Sequence, residues 1–239
     1  MPELFGGRMS GLTTEFVGTT VLDTIGLVIP NVDQQLRQNV DYLKDYRSIG
    51  ILSSRTGAAG QINAIDEAIK RTNTELLSIQ LPRDTKGWGG HGNYIVVGAA
   101  NEADAREAIE IALDYTRRYA GGLFISGEGH LELTYSAHAG PALQSFFGAP
   151  AGQAFGFMAG SPAAIGMLMA DHCLKAGDVD VLRYMDADHG TSHTNEVILA
   201  MTGDASAVAS AVHTACELGL TLLKTLGSEG IPAGEPCLP

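Results

Sequence analysis

Two histidines four positions apart, His189 and His193, could offer imidazoles from one side of a turn to a metal ion, since neutral ring nitrogens at such spacing are ligands. Gly190 between them marks a loop, and the nearest carboxylates, Asp188 and Glu196, make no defined third ligand. No metal is expected, though a metal-dependent enzyme using this pair stays open as an alternative. The run Gly87-Trp88-Gly89-Gly90-His91-Gly92 has the spacing of a dinucleotide fingerprint. That fingerprint needs a helix N-terminus after it to hold the phosphate, and Asn93–Val97 reads as a strand instead. Gly-x-Ser-x-Gly, the elbow that would expose a nucleophilic serine, does not occur. Seven histidines among 27 carboxylates make chance His/Asp neighbours inevitable, so proximity alone implies no triad. Glu128 and His130, set among glycines, fall in a linker. The residues point to no catalytic group and no cofactor.

What remains is a pair of charged spacings, Asp66-x-x-x-Lys70 and Asp171-x-x-x-Lys175. On a helix each is an ordinary i,i+4 ion pair, worth about 0.2–0.5 kcal/mol. Their interest lies in the elements that carry them, because the chain contains the same unit twice. Ile49-Gly50-Ile51 opens one apolar strand and Phe155-Gly156-Phe157 another. Each leads into a helix, Gln61–Arg71 or Ala164–Ala176, whose apolar positions recur on one face. The helices align at an offset of 105, which matches Asp66 with Asp171 and Lys70 with Lys175. A second strand follows in each (Glu75–Leu77, Asp180–Leu182), then a loop (Pro82–Asn93, Asp186–Asn195) and a third strand (Tyr94–Gly98, Val197–Thr202). Long helices close the units, Glu102–Tyr119 and Ser206–Leu226, with Asn101 and Asp204 as expected caps. Ahead of each unit lies a β-rich leader, Glu15–Gln35 with its strand Thr24–Ile29, and Leu131–Gly152. The fold class is therefore α/β in the α+β, ferredoxin-like sense, with two tandem domains at 15–125 and 126–228. Residues 1–14 and 229–239 are expected to be mobile tails.

Composition removes several functions. A formal charge of −12 with 15 scattered basic residues gives no stripe for phosphates, so nucleic acid is not a partner. From Ala139 to Ala170 no residue is charged, yet three prolines and six glycines interrupt the stretch. It is read as soluble core, not a membrane span. Cys173, Cys216 and Cys237 are odd in number and lack CxxC spacing, which fits reduced thiols in the cytoplasm.

The duplicated unit with its Asp-x-x-x-Lys helix resembles the shell domain of bacterial microcompartments. Val28-Ile29-Pro30 precedes the unit instead of following it, the circularly permuted order. With Asp23–Pro30 and Pro82–Lys86, the chain resembles the trimer-forming tandem shell proteins of propanediol- and ethanol-utilisation compartments. The resemblance spans about residues 15–228. It implies a homotrimer arranged as a pseudohexagonal tile, meeting other shell proteins edge to edge around an enzyme core. Three chains would carry −36, three times −12, so edges need cations; the resemblance implies Lys70 and Lys175 there, with Asn31 at the edge position where single-domain relatives often carry a basic residue. The two loops are the implied passage for small polar metabolites, with Lys86, Trp88, His91, His189, Thr191, Ser192 and His193 lining it. The N-terminal tail is a candidate tether for encapsulated enzymes. A small-molecule-binding regulator, using the same kind of domain, is the second alternative.

Overall fold

A computed structural model describes residues 14–82, 91–187 and 195–239. Along the first half run β1 (Phe16–Thr20), β2 (Thr24–Ile29), α1 (Gln34–Asn39), β3 (Ser48–Ser54), α2 (Ala59–Ile69), β4 (Thr74–Gln80), β5 (Asn93–Ala99) and α3 (Glu102–Tyr119). The second half has β6 (Leu123–Ile125), β7 (His130–Ser136), α4 (Pro141–Phe147), β8 (Ala154–Ser161), α5 (Ala163–Ala176), β9 (Val179–Met185), β10 (Val197–Gly203), α6 (Ala205–Thr225) and β11 (Ile231–Pro232). Each half builds one antiparallel sheet, ordered β1-β2-β3-β5-β4 and β11-β6-β7-β8-β10-β9. This is the expected α+β architecture, twice.

The registers of the two sheets coincide. Gly50 pairs with Val28 on one side and Val97 on the other; Gly156 pairs with Tyr135 and Met201. One extra residue bulges at the same place in each outer strand, Leu77 in β4 and Leu182 in β9. Both central glycines have the same packing task. A Cβ on Gly50 would lie 2.7 Å from Ile109 of α3, and one on Gly156 would lie 2.8 Å from Val208 of α6. Only glycine lets each long helix lie against its own sheet so closely.

Periodicity explains the helices. In α3, Ala105, Ala108, Ile109, Ala112 and Leu113 form the buried stripe, spaced three and four apart as a sheet-covering face requires. Asn101 caps it by accepting from the Asp104 amide at 3.0 Å. Asp204 stands at the matching place before α6, but its side chain makes no capping bond. By length and mean hydropathy α6 could cross a membrane. Here its Val208, Ala211, Val212, Ala215 and Leu223 are buried in the core of the second half.

Three expectations change. The segment after α6 is not loose: β11 pairs with β6, and Leu238 packs against the second core. The boundary expected after residue 125 falls behind β6, a strand of the second sheet. His130 is no linker residue; it lies in β7 and is fully buried. The first two departures arise because β6 and β11, of three and two residues, are too short to show an apolar period.

Candidate assembly surface and passage loops

The two halves share a core. Ile62, Ile65 and Ile69 of α2 pack with Leu143 and Phe147 of α4 and with Phe155 and Phe157 of β8. The second sheet thus has α5 and α6 on one face and α2 of the first half on the other.

Polar groups fix this junction in register. Asp66 is fully buried on α2, and its carboxylate accepts amide bonds from Gly140 (2.9 Å), Ala142 (3.0 Å) and Leu143 (3.2 Å). A carboxylate at the start of α4 satisfies orphan amides that the helix cannot pair itself. Glu132 of β7 does the converse, accepting from the Ala58 and Ala59 amides at 2.9 and 3.2 Å at the start of α2. Each half therefore caps a helix of the other. Asn63 completes the set, donating to Thr134 Oγ1 at 3.0 Å and to the Tyr135 carbonyl at 2.9 Å.

A buried charge cluster lies beside these caps. His91 Nδ1 meets Glu196 Oε1, and His130 Nε2 lies 3.0 Å from Glu196 Oε2. Glu132 sits 4.0 Å from each imidazole. Burial alone would lower the His91 pKa, but the charges of Glu196 and Glu132 outweigh it and hold the imidazole up at about 9. Burial likewise favours neutral Glu196, yet His91 and His130 keep its carboxyl far below the usual range. His91 is thus a cation inside the junction.

The candidate residues separate on this geometry. Lys70 is committed within the chain: its ammonium pairs with Asp66 at 2.9 Å and Glu67 at 2.8 Å and donates to the His138 carbonyl at 2.9 Å. Burial opposes its charge, but the two carboxylates outweigh that and raise its pKa. Lys175 pairs only with Asp171 among the described residues, and its side chain is 70% exposed against 25% for Lys70. Asn31 is exposed and accepts from Arg47 Nε at 2.9 Å. His91 does not line an open passage, because it is buried to 2% exposure within the junction. Lys86, Trp88, His189, Thr191, Ser192 and His193 lie outside the described residues. Among the described residues, no three His, Cys, Asp or Glu side chains are arranged to hold a metal ion.

Sequence reasoning missed Arg183 and the buried roles of Glu132 and Glu196. Arg183 lies 4.7 Å over the Phe146 ring and donates to the Phe146 carbonyl, fastening β9 to α4. Arg183 shares a partly exposed strand with Asp180, whereas Glu132 and Glu196 are carboxylates in an apolar strand or at its mouth. That was the available signal, since such a charge must find a partner when buried.

The model of the BMC domain matches residues 154–233. Over 216 residues the sequence is 51% identical to the bacterial microcompartment shell protein PduB of Citrobacter freundii, covering 90% of this chain and 80% of that one. The chain belongs to the PduB family of bacterial microcompartment shell proteins. It is similar to the crystal structure of a trimeric shell protein PduB, at 46% identity and a TM-score of 0.89, spanning 94% of this chain and 99% of that one. EtuB from Clostridium kluyveri is 45% identical, with the same coverage and TM-score. The family role is structural rather than catalytic, and its place is the shell of a bacterial microcompartment.

Proposed function

We propose that three copies of this chain close into a six-lobed tile, and that tiles meet edge to edge in the shell. The supporting observation is that similarity to the trimeric PduB structure runs through both halves and leaves only 1% of that chain unmatched. A closed ring is the arrangement that satisfies head-to-tail contacts without leaving ends. Lys175, whose stem is free to lie along a neighbour, and Asn31 serve at the rim. The loops carrying Lys86, Trp88, His189, Thr191, Ser192 and His193 line passages for small polar metabolites, for which hydroxyl and imidazole groups offer exchangeable hydrogen bonds. The compartments in question are those of propanediol or ethanol utilisation, and residues 1–14 are a tether for enclosed enzymes.

Light scattering on a sizing column tests the tile. A mass near 75 kDa, three times 25.0 kDa, is expected, and a monomer at micromolar concentration removes the reading. Lys175→Ala should thin the sheets seen by electron microscopy while leaving the mass unchanged. A dissociated trimer would instead place Lys175 at an inner contact.

A further inference from the structure

The polar groups at the start of α2 are not all satisfied by one another. His91, Glu132, Gln61 and Asn93 are each 0–2% exposed. Each nevertheless has one atom without a protein partner among the described residues: His91 Nε2, Glu132 Oε1, Gln61 Oε1 and Asn93 Oδ1. Buried groups of this kind are paired in folded proteins, by water or a ligand where the chain offers nothing.

All four side chains are held against residues 56–59. Gln61 Nε2 donates to the Thr56 carbonyl and to Thr24 Oγ1, both at 3.2 Å, and Asn93 Nδ2 donates to the Gly57 carbonyl at 2.8 Å. Turning either amide over would set oxygen against carbonyl oxygen, so the orphan atoms are the oxygens. The His91 carbonyl accepts from the Gly57 amide at 3.1 Å, and Glu132 uses Oε2 for the Ala58 and Ala59 amides. Gly57 adds no side chain to this wall; a Cβ there would lie 3.4 Å from Glu132 Oε2.

The repeat shows that the unit itself does not require these groups. At the offset of 105, Gly166 stands where Gln61 does. By the registers of β3 with β5 and of β8 with β10, Ile198 stands where Asn93 does. Backbone closes that place in the second half: a Cβ on Gly166 would lie 2.5 Å from the Gly160 carbonyl oxygen. The start of α5 is packed shut, whereas the start of α2 keeps four polar atoms in want of partners.

What these atoms ask for selects the partner. The three oxygens are acceptors and need hydrogens, while Nε2 of the His91 imidazolium is a donor and needs a lone pair. A metal ion or an ammonium ion has no lone pair for His91, and a simple anion has no hydrogen for the oxygens. Water has both. Its size also fits. The Glu132 carboxylate lies 4.0 Å from His91 Nε2, beyond a direct bond, and an oxygen about 2.8 Å from each would bridge them at an angle of about 90°.

We infer that a water molecule resides at the start of α2 as a fixed part of the junction. It accepts from His91 Nε2–H and donates to Glu132 Oε1 and to the amide oxygen of Gln61 or Asn93. It joins the halves, since Glu132 comes from the second and the other three from the first. The site belongs to the single chain, so its test is separate from that of the tile.

A crystal structure of the full-length protein, at a resolution that shows ordered water, tests it. One peak of water height is expected in every copy, about 2.7–3.2 Å from both His91 Nε2 and Glu132 Oε1. A direct His91–Glu132 hydrogen bond with no peak would overturn the inference, and so would density longer than one atom, the mark of an organic ligand. Soaking in thallium(I) acetate separates water from a monovalent cation: no anomalous peak is expected there, and its appearance would overturn the choice of water. In solution, oxygen-17 relaxation dispersion should count at least one fewer long-lived water per chain in His91→Phe than in the parent. An equal count in a variant with unchanged far-ultraviolet dichroism would also count against the site.

Discussion

The charge on His91 is held by carboxylates instead of water, and that makes the junction titrate. Its pKa is raised from the ordinary 6.5 to about 9, so its contribution is complete below pH 6.5 and is lost as pH rises through 9. Glu196 is shifted the other way from 4.5; its contribution is present above that value and fades as pH falls below it. Among the described residues, His130 and Glu132 of β7 face this pair. Denaturant midpoints should be highest near pH 5–6 and fall steadily between pH 7 and 9.5, and His91→Gln should flatten the alkaline fall. An unchanged slope in that variant would place the titrating group elsewhere. The matched aspartates give a second contrast. Asp66→Ala strands three buried amides and takes one of two carboxylates from the Lys70 ammonium, at a cost of about 3 kcal/mol. Asp171→Ala removes a largely exposed pair and should cost about 0.5 kcal/mol or less. Equal losses in chemical unfolding would contradict the capping role. From the sequence both read as the same i,i+4 pair. Nothing local distinguishes them, because the amides that Asp66 binds lie more than 70 residues away.

Among elements, those with long apolar periods were legible and the short ones were not. Helix α3 begins and ends where its stripe and the Asn101 cap place it, and β2 likewise matches its apolar run. The strands β6 and β11 have three and two residues, too few for any period, so the final segment looked like a tail. Its packing is close: a Cβ on Gly121 would lie 1.7 Å from the Glu235 carbonyl oxygen. Gly121→Ala must therefore push residues 233–237 away, costing about 1–3 kcal/mol and exposing them to limited proteolysis. Resistance equal to the parent protein would mean that the segment is held elsewhere.

At the scale of the molecule, the repeat alone was enough to read the architecture, and the resemblance it supported agrees with the family shown by the PduB relatives. What the repeat concealed is how unequal the two halves have become: β7 turns Glu132 and Thr134 toward α2 where β2 presents isoleucine and leucine. The proposed passage rests on loop composition alone, since its residues other than His91 lie outside the described residues. The exchanged caps also bear on how the chain matures. Synthesis delivers α2 long before Glu132, and α4 begins only at Pro141. Until about residue 147 has left the ribosome, the first half holds Asp66 without its amides and the start of α2 without its acceptor. The first half therefore waits unfinished for the second, and a nascent chain arrested near residue 125 should remain open to protease where the completed one is closed.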